Sequence, residues 1–362
     1  MTTVFDSMTR TETGYKKRAD SIFRYLNISM RPGSEASRAL IEDLFARVPV
    51  DVQQDLRSRF RSGSDAELAS VFQELCLHDL LSKQLCELLP HPCVTGTTKR
   101  PDFRVLEPEG MQFFLEARSS TKVSSGPSSS PRGDQVRDFL TGFKLDGFLI
   151  GVDELVAGSK DLSRRLLVRH INESLKTATA KRSARVLIPA FETEDGWKIR
   201  LTAVSDAPYG SKNGGVLYEA WGRTWDGPSH ALPKALIEKG GRYGDQLGMP
   251  FVIAINSFDP MLTDRDFAET LFGERGFWGT PETPQYRRVS AVLFTVNLWP
   301  ATLLMGHVES RLYLNPFAHW SYEGVLTKLD TFRFARDSWR RYPGSPLYRL
   351  LQLRLHDSSL WD

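Results

Sequence analysis

Arg100-Pro101-Asp102-Phe103-Arg104-Val105-Leu106 and Met111-Gln112-Phe113-Phe114-Leu115-Glu116, joined through Pro108-Glu109-Gly110, decide how this chain is read. Both runs are rich in aromatic and aliphatic residues, and a Pro-Glu-Gly turn between two such runs predicts a β-hairpin. Antiparallel pairing lets Asp102 open one strand while Glu116 lies near the end of the other, so both carboxylates converge at one end of a sheet. Period-2 alternation puts Phe114, Glu116 and Arg118 on one face and Leu115 and Ala117 on the other. A polar face on so apolar a strand asks for a chemical reason.

Upstream, a third strand-like run covers Pro92 to Thr97. Before it the pattern is helical. Ser64-Asp65-Ala66-Glu67 resembles a capping box, and the apolar stripe Leu68, Val71, Phe72, Leu75, Leu80, Leu81, Leu85, Leu88 carries the helix to Pro90. Two shorter helical patterns, ALIEDLFARV and DVQQDLRSRF, are split by Pro49, and the first thirty residues read as polar and loosely held.

Downstream, SSTKVSSGPSSSPRG reads as a flexible loop or lid. Between Gln135 and Gly227 come a helix, the strand GFLIGV, the helix DLSRRLLVRHINESLKTA and a hairpin turning at Glu194 to Gly196. This stretch is expected to be an insertion that adds strands and helices to one side of the core. The helix Ala231 to Tyr243 then leads into the most apolar strand, Phe251 to Ile255, the order of a parallel crossover. A helix near Asp264 to Phe272, a strand near Val289 to Val296 and an Arg- and aromatic-rich end follow. The expected fold is α/β: a central mixed sheet flanked by helices, with a large inserted α+β segment. The expected divisions are an N-terminal helical segment 1–63, a core of 64–118 and 228–257, an insertion 119–227 carrying a basic helix, and a C-terminal α/β extension 258–362.

The 362 residues include 41% hydrophobic and 25% charged positions with a net charge of +3, which excludes fibrous and wholly disordered readings. So small a net charge gives no whole-molecule field for polyanions, and nucleic-acid binding would rest on local basic patches. Cys76, Cys86 and Cys93 fit neither a paired zinc motif nor a disulfide framework, so they are expected to be reduced, cytoplasmic thiols. No secretion signal is expected, because MTTVFDSMTRTETGYKKR holds no apolar run, and no membrane span, because uninterrupted apolar runs of about 18 residues are missing.

Asp102 and Glu116 with the Ala117 carbonyl make a set of hard oxygen donors, the chemistry that binds Mg²⁺ while leaving several waters in place. Such an ion activates water and neutralises charge developing on a phosphodiester. Glu74 on the long helix adds a candidate third carboxylate, and His78 lies one helical turn on. Plainer readings stand beside these: Asp after Pro often opens a strand, Glu74 suits a solvated helix face, and His78 suits the edge of a core.

The order of helix with Glu, strand, strand opening in Pro-Asp, strand ending in Glu-x-basic, helix and strand resembles the PD-(D/E)xK, restriction-endonuclease-like nuclease superfamily. The resemblance implies a restriction-endonuclease-like core, with Asp102 and Glu116 as its two acids and Glu74 as the helix acid. Arg118 stands where the lysine that orients or activates water belongs. Arginine can hold a phosphate but cannot be deprotonated in a protein. More broadly, the chain is similar to a group of largely uncharacterised bacterial proteins through FRYLNISMRP, VFQELCLHDLL, RPDFRV, FFLEAR, ALIEKGGRYGDQLGMPFVIAIN, FAETLFGERG, RRVSAVLF and RLYLNPFA. Under this resemblance Lys234 or Lys239, on the crossover helix, could replace the strand lysine. The implied activity is Mg²⁺- or Mn²⁺-dependent DNA hydrolysis in restriction or phage defence. A homodimer, or a partner protein that supplies targeting, fits the same resemblance. The alternative is a nucleic-acid-binding or regulatory subunit that kept the fold and lost the chemistry.

Two basic patches could hold a nucleic acid. Ser159 to Arg185 holds eight Lys/Arg against Asp161 and Glu173, and Arg165, Arg169, Asn172 and Lys176 form a stripe opposite Leu166, Leu167, Ile171 and Leu175. FRFARDSWRRY interleaves Phe332, Phe334 and Trp339 with Arg333, Arg336, Arg340 and Arg341, a pattern suited either to stacking a single strand or to packing a terminal helix on the core. Nucleophile-elbow, HExxH, kinase and dinucleotide-binding patterns do not occur.

Overall fold

The computed structural model describes residues 2–17, 20–120, 131–141, 143, 148–179, 185–205, 216–219, 231–243, 247–258, 262–335, 338–357 and 360. In chain order its elements are α1 (Ile22–Ile28), α2 (Pro32–Ala46), α3 (Val50–Phe60), α4 (Asp65–Lys83), β1 (Glu87–Pro90), β2 (Phe103–Leu106), β3 (Gln112–Ser120), α5 (Pro131–Thr141), β4 (Phe148–Val156), α6 (Arg164–Thr179), β5 (Arg185–Glu192), β6 (Lys198–Ser205) and β7 (Val216–Glu219). They continue with α7 (Ala231–Gly240), β8 (Phe251–Ser257), α8 (Asp264–Leu271), β9 (Ala291–Val296), α9 (Pro300–Leu304), β10 (Glu309–Leu314), β11 (Thr331–Ala335), β12 (Ser338–Tyr342) and α10 (Leu347–Leu350). The class is α/β. Two compact units divide the chain: Met1–Gly14, Ser21–Ser124 and Gly227–Asp362 form one, and Tyr15–Asp20 and Ser125–Asp226 the other.

The first unit is built on an eight-stranded mixed sheet ordered β1-β2-β3-β8-β9-β10-β11-β12. β1, β2 and β3 run antiparallel, and β8 joins β3 in parallel. Alternation along β3 sorts its side chains between two cores. Phe113, Leu115 and Ala117 pack with Leu68, Val71, Phe72 and Leu75 of α4. Phe114 packs with Leu232 and Leu236 of α7 and with Phe267 and Leu271 of α8. β8, Phe-Val-Ile-Ala-Ile-Asn-Ser, is buried along its whole length, as a parallel strand covered on both faces must be.

α4 begins as its sequence suggests, with the Ser64 hydroxyl accepting the Glu67 N–H at 3.3 Å. The reciprocal half of the capping box is missing, because the Glu67 carboxylate turns to Arg59 at 3.1 Å. The helix also stops earlier than Pro90. Leu85 takes a left-handed φ of 62° after Gln84, which frees residues 87 to 90 to pair with β2. That pairing makes Glu87–Pro90, rather than Pro92 to Thr97, the strand beside β2. α4 is buried on nearly every side, Gln73, Glu74, His78 and Asp79 included, because the sheet covers one side and α2 and α3 the other.

Nor is the N-terminal segment loose. Val4 and Phe5 are buried, and the Glu42 carboxylate accepts both of their N–H groups, at 3.1 and 2.8 Å. The aromatic C-terminal run forms the hairpin β11–β12 instead of a terminal helix, because its apolar residues alternate: Phe332, Phe334 and Trp339 join the ring cluster of Tyr313 and Phe272.

The second unit has a sheet of its own, ordered β5-β6-β4-β7, so among the described residues the inserted strands pair with one another and do not extend the larger sheet. Gly196, at φ 95°, makes the hairpin turn. Leu167, Ile171 and Leu175 of α6 pack with Trp197, Ile199 and Leu201. Leu166, expected on that apolar face, is exposed. Among the described residues no helix is long and apolar enough to cross a membrane, and Cys76, Cys86 and Cys93 are free thiols.

Candidate active site

The register Phe103↔Leu115 puts Asp102, one residue before β2, opposite Glu116. Residues directly opposite in an antiparallel pair share a face, so the two acids lie toward α7. Asp102 Oδ2 accepts the Ala117 N–H at 2.6 Å, capping a β3 amide that β2 is too short to reach. Among the described residues Oδ1 has no such partner.

Glu116 is 1% exposed and is met by three donors from the end of α7 and the turn after it. Lys239 Nζ hydrogen-bonds Oε1, Arg242 approaches the same oxygen at 2.9 Å, and the Tyr243 hydroxyl donates to Oε2. The Tyr243 oxygen also lies 3.1 Å from the Arg100 carbonyl. With one proton it serves one acceptor at a time, and the charged one is favoured.

Glu74, on α4, belongs to the opposite face of the sheet. Arg59 of α3 grips it with a two-pronged contact, 2.9 Å to Oε2 and 2.6 Å to Oε1. Asp102, at the end of its strand, also lines a cavity of about 20 Å³ with Glu74, His78 and His91. That is room for roughly one water. Among the described residues the buried ring nitrogen His78 Nδ1 has no hydrogen-bond partner, and burial lowers the His78 pKa, which favours the neutral ring.

Burial, then the charges of Glu116 and Glu74, push the Asp102 carboxyl up to about 8, against the opposing pull of the Ala117 N–H and Lys239. Tyr243 is raised by burial and then by the Glu116 charge, so it stays a protonated donor. Arg59 is raised above its ordinary value by Glu74 and Glu67, which outweigh its desolvation.

Of the sequence candidates, Asp102, Glu116 and Lys239 come together, while Glu74 reaches Asp102 through its charge and the shared cavity. Ala117 is buried within β3. Lys234 is exposed on α7, and among the described residues it makes no ion pair with Glu116. Arg118 is 47% exposed, with Glu238 at 3.9 Å. Arg165, Arg169 and Lys176 lie exposed along α6, and among the described residues none of them pairs with an acid. Arg340 is exposed on β12, opposite Arg333, and Arg336 lies outside the described residues. Arg59, Arg242 and Tyr243 were not candidates. The spacing of Lys239, Arg242 and Tyr243, three and four residues apart, is a one-face signal that would have joined the last two to the lysine.

No known protein family, curated protein or solved structure matches this chain.

Proposed function

We propose that the chain is a Mg²⁺- or Mn²⁺-dependent enzyme that hydrolyses DNA phosphodiester bonds, built on the PD-(D/E)xK plan. The observation that carries this reading is the Lys239 ammonium against the Glu116 carboxylate. It provides from α7 the cation that Arg118, whose recorded ion pair is with Glu238, does not. The order α4, β1, β2, β3, α7, β8, with three antiparallel strands and a fourth parallel to the third, supports the same plan.

The residues present fit a hard divalent cation. Asp102 keeps one oxygen without a partner among the described residues, and burial, followed by the charges of Glu116 and Glu74, raises its carboxyl, so a cation there would relieve the cost of ionising it. Among the described residues no three His, Cys, Asp or Glu side chains form a ligand group. An ion would therefore rest on Asp102, Glu116 and the Ala117 carbonyl, the remaining positions going to water, as Mg²⁺ commonly does with one or two carboxylates. When bound, it would supply a Lewis acid that makes water a better nucleophile and offsets charge on the phosphodiester. Lys239 orients Glu116 and keeps N–H groups for an attacking water or a phosphate oxygen. Arg242, 36% exposed, holds a phosphate at the rim without exchanging a proton. Glu74, fixed by Arg59, acts on Asp102 through charge.

A second reading has its own support. Both Glu116 oxygens are engaged by Lys239, Arg242 and Tyr243, the arrangement of a structural ion cluster in a nuclease-fold protein that binds nucleic acid without cutting it. Incubation with duplex and single-stranded DNA in Mg²⁺, Mn²⁺ or EDTA separates the two. Cleavage that needs the metal and is lost in both Glu116→Gln and Asp102→Asn is expected. Retained DNA binding with no cleavage under any condition would favour the second reading.

A further inference from the structure

On the α4 face of the sheet, beyond the carboxyl ends of the parallel strands β8 and β9, lies a second cavity, of about 370 Å³. That size falls at the small end of the roughly 300–1,000 Å³ usual for ligand pockets. Phe258, the residue after β8, and Asn297, the residue after β9, both line it, together with Asp65, Trp299 and Thr302. Crevices at the carboxyl ends of parallel strands are where α/β sheets take ligands.

The lining pairs flat apolar surfaces with a few aimed polar groups. Phe258 and Trp299 stand edge to face, centroids 6.2 Å apart at 67°. Asp65 spends Oδ1 on the Ile22 N–H at 2.7 Å, and among the described residues Oδ2 accepts from nothing. Thr302 gives its proton to the backbone carbonyl of Asn297 or Trp299, so its hydroxyl faces a ligand only as an acceptor. Asn297 is held in the left-handed region at φ 54°, and among the described residues its side-chain amide has no hydrogen-bond partner. An amide offers one donor and one acceptor side by side.

We infer that this cavity binds a nucleobase carrying an exocyclic amino group, stacked on Trp299 and read by Asn297 and Asp65. The reasons are complementary. An aromatic wall accepts any base through its π face. A side-chain amide pairs in two-pronged fashion with an amino group beside a ring acceptor, and a carboxylate accepts from amino and ring N–H groups. Uracil and thymine have no amino group for the Asp65 carboxylate and turn carbonyls toward it, so Asp65 disfavours them even though the Asn297 amide can pair with either edge. A base in a single strand and a free nucleotide present the same edge, and titrations with each separate the two sources. This assignment does not rest on phosphodiester cleavage.

Isothermal titration of the full chain in EDTA tests it, using AMP, CMP, GMP and UMP and, separately, short oligo-dA and oligo-dT. Saturable binding of at least one amino-bearing nucleotide, about tenfold tighter than UMP, is expected from one or two hydrogen bonds. Oligo-dA binding much more tightly than AMP would assign the base to a strand; equal affinities would assign it to a free nucleotide. Asn297→Gly keeps the left-handed backbone and removes the amide, so it should lower affinity about tenfold with the melting temperature nearly unchanged. Asp65→Asn, which keeps an oxygen for the Ile22 N–H, should narrow the preference over UMP. No binding of any nucleotide or oligomer, or binding that favours UMP equally and ignores Asn297→Gly, would overturn the assignment. EDTA removes cleavage from the measurement, so its failure is separate from failure of the nuclease reading.

Discussion

Lys239, in the last turn of α7, binds Glu116 of β3 across 123 residues of sequence, and both side chains are buried. The contact ties the crossover helix to the strand it follows, so the same pair that could serve chemistry also holds the fold. Removing one partner of a buried pair costs about 3–5 kcal/mol. Arg242 and Tyr243 remain on Glu116, so Lys239→Met should fall at the lower end, read as a shift in urea midpoint. The double variant Lys239→Met, Glu116→Gln should recover part of the loss, because no uncompensated carboxylate is left. A double variant less stable than the single would show that the pair does not act as a unit.

The Arg59 contact to Glu74 is independent of that pair. Arg59→Ala leaves the Glu74 carboxylate buried with Ser70, at 3.4 Å, as its one remaining hydrogen-bond partner among the described residues, and should destabilise by about 3 kcal/mol or more. Glu74→Gln should be milder, since it leaves a half-buried cation that still pairs with Glu67 at 3.1 Å rather than a buried unpaired anion. Equal losses in the two variants would mean that packing, not charge, sets the cost.

The sheet was legible where a local pattern decides structure. The Asp102 to Glu116 hairpin, the buried strand at Phe251 and the α7 helix all follow from alternation, a Pro-Glu-Gly turn and helical spacing. What escaped was decided by long-range packing. Leu85 and Leu88 fit a helical stripe, yet a left-handed turn at Leu85 gives residues 87 to 90 to the sheet. Glu74 has the spacing of a helix-surface residue and becomes buried only because α3 brings Arg59 over it. Lys239 was one of two lysine candidates until the orientation of α7 buried it and exposed Lys234.

Asp102 makes stability depend on pH in a definite direction. Its carboxyl is pushed up to about 8 in the folded chain, against an ordinary value of 3.8. The folded state therefore holds a proton that the unfolded state releases. That contribution is complete below about pH 4 and is lost as pH rises toward 8, with a slope of up to about 1.4 kcal/mol per pH unit from one group. Urea midpoints between pH 4.5 and 8 should fall less steeply in Asp102→Asn than in wild type. Mg²⁺, if bound by Asp102, should flatten the wild-type slope as well. Identical slopes in wild type and variant would assign the dependence elsewhere.

The α6 stripe bears on nucleic acid alone. Arg165, Arg169 and Lys176 are exposed, and each phosphate contact adds about 0.9 to the slope of log affinity against log salt. Replacing all three by Ala should weaken binding to every DNA sequence alike and reduce that slope by up to about 3. An unchanged slope would return the stripe to an ordinary solvated face.

Arg118 gives the sharpest test of where the cation of the site resides. At 47% exposure, with Glu238 at 3.9 Å, it does not meet Glu116, whereas Lys239 does. If the strand position were the catalytic one, Arg118→Lys would raise cleavage strongly, because an ammonium can be deprotonated and a guanidinium cannot. If Lys239 fills the role, Arg118→Lys should leave the metal-dependent rate within about twofold, and Lys239→Met should lower it by two orders of magnitude or more, the usual weight of a proton-transfer group. Lys239→Arg separates charge from chemistry: it should restore much of the stability lost in Lys239→Met without restoring the rate. Initial rates of all three variants on one duplex substrate, with urea midpoints measured in parallel, decide the matter. Full activity in Lys239→Arg would remove proton transfer from the role of this residue and leave it a positioning residue for Glu116.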